Sequence, residues 1–95
     1  MSKTVWQRYI EGMGQGVTFL VTIYNRVKRQ GCYIRVLYHS EGDEIFILSE
    51  SQSVLTIDDL DRDYDIKKYN NESNQYIINV ILRKIRDKKL SELLN

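Results

Sequence analysis

The residues whose types and spacing come nearest to a known chemistry are Asp61, Asp63, Asp65 and Glu72. They fall at positions 1, 3, 5 and 12 of the twelve-residue loop in which carboxylate oxygens hold calcium between two helices. The middle of that pattern fails. Its sixth position needs glycine for a sharp turn, and here stands the β-branched Ile66. Lys67 and Lys68 then add positive charge where a dication would sit. No metal and no other cofactor is expected. Cys32, His39 and Ser40 supply nucleophile types and a base, but seven residues of extended chain hold Cys32 and His39 roughly 23 Å apart. Gly12, Gly14 and Gly16 lack the spacing of a dinucleotide fingerprint and the lysine of a phosphate loop. No paired metal ligands, CxxC or nucleophile elbow occurs either, so no catalytic residue is assigned and an enzyme is not expected.

What the chain does carry is sorted charge. Residues 1–40 hold six Lys/Arg and one acid, 41–65 one Arg and nine acids, and 66–95 seven Lys/Arg and three acids, under a net charge of only +1. Two binding surfaces follow as expectations. Asp58, Asp59, Asp61, Asp63 and Asp65 form an anionic patch for a partner protein with a basic surface. Alternatively, Arg83, Lys84, Arg86, Lys88 and Lys89 form a basic helix face that tracks nucleic-acid phosphates, with Tyr76 at its start and Asn79 as its one uncharged polar residue. The plain alternative to both is a solvated charged face, or acids and bases that pair with each other.

These groups need a scaffold, and 95 residues with 42% apolar and 28% charged side chains suffice for one globular domain. One cysteine, Cys32, excludes an internal disulfide and fits a reducing compartment. The longest apolar run, Val17 to Tyr24, is far too short to span a bilayer, so a cytoplasmic location without membrane contact is expected. The absence of proline, with abundant Ile, Tyr, Asn, Lys and Asp, suggests an AT-rich genome such as that of a phage or low-GC bacterium.

Apolar residues at Trp6, Tyr9, Ile10, Met13, Val17, Leu20, Val21, Tyr24 and Val27 keep three-and-four spacing, which predicts an N-terminal helix, hinged at the glycines and capped by Gly31. Arg26, Lys28 and Arg29 would complement its dipole. The rival is a strand over Val17–Tyr24, whose residue types favour extended chain; the longer stripe favours the helix. Cys32 to Glu50 reads as a hairpin turning at Ser40–Asp43. Its Ile34, Val36 and Tyr38 face would lie under the first helix, and its Tyr33 and Leu37 face under the last helix or a second subunit. Val54–Ile57 is a short third strand, Thr56 caps a turn of helix over Ile57–Asp61, and Tyr64–Tyr69 alternates as a fourth strand. After the polar Asn70–Asn74 segment, Ile77, Ile78, Ile81, Leu82 and Ile85 stripe a C-terminal basic amphipathic helix, and Leu90, Leu93 and Leu94 beyond it suggest a docking or dimer contact. The expected fold class is α+β: an N-terminal helix, a three- to four-stranded mostly antiparallel sheet and the C-terminal basic helix.

The order of a predicted helix, Gln30-Gly31, two strands and then Leu55 to Ile66, with Asp59, Leu60, Asp63, Tyr64 and Ile66 matching, resembles the small phage Thoeris anti-defence type-two domain over residues 18–69. That family ends in a DLLADDWEV-like stretch, where this chain has Tyr for Trp. Its Arg-x-Gly-Trp segment is replaced here by Gln30-Gly-Cys-Tyr-Ile-Arg35, and the helix after residue 70 is an addition. The resemblance implies a phage-borne oligomeric sponge for nucleotide-derived immune signals, with relatives labelled CRISPR inhibitors. The combined expectation is a non-enzymatic anti-defence interaction protein in the host cytoplasm that presents Asp58–Asp65 to a basic partner surface and forms a homo-oligomer through apolar sheet or helix faces. The alternatives are a nucleic-acid-binding regulator and a nucleotide sponge.

Overall fold

Val17–Asn25 carries five β-branched and two aromatic side chains in nine residues, a composition that loses least rotamer freedom in extended chain. A computed structural model, which describes residues 16–69 and 74–94, makes this segment a strand. The order is β1 Val17–Asn25, β2 Gln30–His39, β3 Glu44–Leu48, β4 Val54–Leu55, α1 Ile57–Asp63, β5 Tyr64–Asp65 and α2 Gln75–Leu94. The strands form one antiparallel half-barrel sheet in the order β4-β3-β2-β1-β5.

The expectation of a helix running on to Val27 is thus corrected. Both faces of β1 carry apolar residues, so a helical period can be threaded through a sequence whose real period is two. Val21 pairs with Ile34 and Ile23 with Cys32 on the concave side, while Leu20 and Thr22 point outward. Arg26, Lys28 and Arg29 sit in the β1–β2 turn instead of a helix terminus, and Gly31 lies in β2. The part of that predicted helix before Gly16 lies outside the described residues. The sheet has five strands, more than expected, because the chain crosses through α1 to add β5 beside β1. Only Tyr64–Asp65 of the predicted fourth strand is extended; Ile66 to Tyr69 is a turn.

The core lies between the concave sheet face and α2. Val21, Ile23, Ile34, Val36, Tyr38 and Ile47 from the sheet meet Ile77, Ile78, Val80, Ile81 and Ile85 from the helix, with Leu60, Tyr64 and Ile66 closing one end. Each such side chain taken fully out of water contributes about 1.5–3 kcal/mol. The Ile34, Val36 and Tyr38 face therefore packs under the last helix, not under the first. On the convex side Leu37 is buried, with Gly16 so close that a Cβ there would come within 2.5 Å of Leu37 Cδ1, whereas Tyr33 stays 40% exposed.

Thr56 starts α1 with a complete capping box: its hydroxyl accepts from the Asp59 amide at 3.1 Å and its own amide donates to Asp59 Oδ2 at 2.9 Å. The helix ends at Asp63, where Tyr64 turns extended. Past Ile85 every residue of α2 is exposed, so its last nine positions project beyond the core.

Candidate functional site

The acidic segment and the basic helix turn out to be each other's partners. Lys88 Nζ meets Asp58 Oδ2 at 2.7 Å and Lys89 Nζ meets Asp61 Oδ2 at 3.1 Å, joining α2 to α1. Arg62 reaches Asp59 and Asp63, each at 3.0 Å. Asp65 accepts from the Lys67 amide. Arg83 makes a forked pair with Asp43 in the β2–β3 turn, at 2.6 and 2.9 Å, and Lys84 donates to the same carboxylate and to the Asp43 carbonyl. Tyr38 Oη also donates to Asp43 at 2.7 Å. These donors, Arg83 foremost, hold the Asp43 carboxyl below the usual carboxylate range, and Asp43 in turn raises Arg83. Asp59 is likewise lowered, first by the Thr56 amide, and Lys88 is raised by its hydrogen bond to Asp58. Of the five predicted nucleic-acid-binding cations, only Arg86 has nothing closer than Asp87 at 3.8 Å among the described residues. A basic partner surface would have to displace Lys88 and Lys89 to reach Asp58 and Asp61.

The calcium-like spacing is also taken apart by the fold. Asp61 and Asp63 lie in α1 and Asp65 in β5, while Glu72 falls outside the described residues. Among the described residues no three His, Cys, Asp or Glu side chains converge. Cys32 faces inward beside Ile23 and His39 lies seven residues along the same strand on the opposite face. Burial, then Glu50, pushes the Cys32 thiol up, away from a reactive thiolate.

Pairing leaves a different charge unmatched. Two turns, Arg26–Arg29 and Ile66–Tyr69, are brought to one end of the sheet because β1 and β5 register Tyr24 on Asp65 and Asn25 on Tyr64. Together they carry Arg26, Lys28, Arg29, Lys67 and Lys68, none in an ion pair among the described residues. The first turn is organised by Asn25, which is buried and accepts the amides of Val27 and Lys28, each at 3.0 Å. Arg26 is anchored through a bond from its amide to the Asp63 carbonyl at 2.8 Å. Arg29 holds φ at 56°, a conformation glycine adopts more cheaply; such outliers concentrate at functional positions.

The Arg26 guanidinium turns toward α1 and donates to the Asp61 carbonyl at 3.3 Å, and Lys28 lines a cleft with Cys32 and Glu50, while Lys68 lies beside aromatic rings on the convex face. Lys68 Nζ stands 3.7 Å from the Tyr24 ring centroid, and Tyr69 lies 6.3 Å from Tyr24 between centroids. Tyr69 seats over Gly31, where an added Cβ would come within 3.3 Å of the ring. Tyr33, in register with Thr22, is 40% exposed, and Tyr69 is 42% exposed. Arg35 is exposed on the same convex face, two residues along the strand. Sequence reasoning missed this corner because its two halves are some 40 residues apart and join only through the β1–β5 pairing. The available signal was Lys67-Lys68-Tyr69, adjacent cations and an aromatic with no helical or metal role.

Comparison of the chain with protein-family models, with curated proteins and with solved structures gives no match. No helix among the described residues is long and apolar enough to cross a membrane.

Proposed function

We propose that the chain acts by binding and that its ligand is single-stranded nucleic acid, held at the cationic corner. The observation that carries this reading is Lys68 over the Tyr24 ring, with Tyr69 tilted against that ring, next to turn cations that have no carboxylate partner among the described residues. Proteins that take single strands combine cations that follow the backbone with rings on which bases stack, and every base offers a π-face, so no sequence preference is needed. Five cations spread over two turns suit several successive phosphates better than one. The nucleotide-signal reading implied by the phage-family resemblance uses the same base-and-phosphate chemistry at smaller scale. A homodimer acting in the cytoplasm is compatible with either.

Fluorescence anisotropy with short labelled DNA and RNA single strands tests the proposal. Affinity is expected to fall with added salt, with a slope of about −0.7 per phosphate engaged. Tyr69→Ala should weaken binding by about 1–3 kcal/mol, and Lys68→Glu or Arg29→Glu should reduce the salt slope by about one each. Thermal melts with cyclic nucleotides form the second arm: a rise in Tm there, with no affinity for strands, assigns the corner to a small nucleotide. Absence of binding at low salt in both arms, or affinity unchanged by Lys68→Glu and Arg29→Glu, removes the reading.

A further inference from the structure

Five strands in one open sheet leave two edges, and they are treated differently. On one side β4 is only two residues long and the remaining stretch of β3 begins with the charged Glu44. On the other side β5 covers only Tyr24 and Asn25, so the outer edge of Val17–Ile23 has no strand partner among the described residues. Natural edges are blunted by charge, proline, bulges or shortness. This seven-residue stretch has none of them. It carries no charged residue, no proline, and pairs with β2 residue for residue without a bulge.

The direction of the free groups can be read from the β5 side. The Arg26 amide donates to the Asp63 carbonyl there, and amides alternate along a strand, so Thr18, Leu20 and Thr22 turn their N–H and C=O groups to the open edge. Their side chains point to the convex face, where Leu20 is 62% exposed.

We infer that this edge pairs with the same edge of a second copy, antiparallel about a two-fold axis at Leu20. The occupant follows from self-complementarity. An isologous contact places each surface opposite itself, so a patch bearing charge would meet like charge, and this one bears none. With Leu20 opposite Leu20 of the second copy, Thr18 faces Thr22, Phe19 faces Val21 and Val17 faces Ile23. Every outward N–H then finds a C=O, and Val17 and Leu20, both exposed in the single chain, become covered. Phe19, already stacked on the exposed Tyr76 at 6.2 Å, gains a neighbour on its open side. The short β4 edge stays outside the contact, so the assembly closes as a dimer. This inference is independent of the nucleic-acid reading.

Sedimentation velocity of the full chain decides it. The wild type is expected to sediment as a dimer in the micromolar range. Thr22→Pro deletes one outward donor while leaving every β1–β2 bond in place, and Leu20→Lys sets two like charges at the axis; each should yield a monomer with unchanged circular dichroism. In a Cys32→Ser background, Leu20→Cys should form an intermolecular disulfide on mild oxidation, because facing Cα atoms about 5.5 Å apart lie within disulfide range. Val54→Cys, on the opposite edge, should not. A wild type that stays monomeric, a dimer that survives both Thr22→Pro and Leu20→Lys, or absence of cross-linking at position 20 overturns the inference. Where a variant loses its circular dichroism, the cross-link at position 20 decides.

Discussion

The seam between α1 and α2 and the corner formed by the two turns are both rich in charge, yet they use it in opposite ways. At the seam, Asp58 and Asp61 meet Lys88 and Lys89, and Arg62 closes on Asp59 and Asp63. At the corner, Arg26, Lys28, Arg29, Lys67 and Lys68 have no carboxylate partners among the described residues. A run of like charge in a sequence therefore does not become a pole when an opposite run elsewhere in the chain packs against it. The pole that does form comes from short basic segments separated by some 40 residues and joined by strand pairing.

The comparison can be tested first by asking what holds the seam. If packing dominates and charge only orients, Ile81→Ala, at a fully buried position under α2, should cost about 2–5 kcal/mol by chemical denaturation. Lys88→Ala should leave the unfolding midpoint nearly unchanged, since exposed ion pairs contribute little. A Lys88→Ala loss as large as that of Ile81→Ala would reverse the ranking. Asn25→Ala addresses the corner: two turn amides lose their acceptor in a half-buried setting, which should cost about 1–3 kcal/mol and weaken oligonucleotide affinity as well. Stability loss with full retention of affinity would separate the turn from the ligand.

Thr56→Ala sharpens the seam further, because the capping box sets where α1 begins. The expected loss is about 0.5–2 kcal/mol, with Thr56→Ser close to wild type. The smallest effect is in pH. Asp43 titrates below its unfolded value near 3.9, so its pairing with Arg83 stabilises the folded chain above about pH 4 and is lost as pH falls from there toward the folded pKa. Thermal melts of Asp43→Asn should show a shallower acid decline than the wild type; identical slopes would place the pH sensitivity elsewhere.

Much of the architecture is legible in the residue order. The Cys32–Glu50 hairpin with its Ser40–Asp43 turn, the Thr56 cap and the Ile77–Ile85 stripe each depend on neighbours close in sequence, and each is found where the local pattern puts it. β1 is not legible in that way. With Leu20 and Tyr24 outward and Val21 and Ile23 inward, its apolar residues satisfy two periods at once, and only the partner strand decides between them. The charge pairing is illegible for a related reason. Whether Lys88 meets Asp58 or solvent depends on the rotation of α2 over α1, which the buried isoleucines fix and the charges follow. The corner needs a contact across the whole chain, which no window of sequence contains.

Strand order carries a further consequence for how the molecule assembles. β1 to β4 are successive neighbours joined by tight turns, so this meander closes over short loops and forms early, whereas β5 must travel back past three strands to reach Tyr24 and Asn25. With only two residues in register, that last pairing is also the first to open in the native ensemble. Amide exchange should therefore be faster at Arg26 and Asp65 than in the β1–β2 ladder. Whatever tightens or frees that two-residue latch would bring the two basic turns together or let them part while the meander itself stays folded.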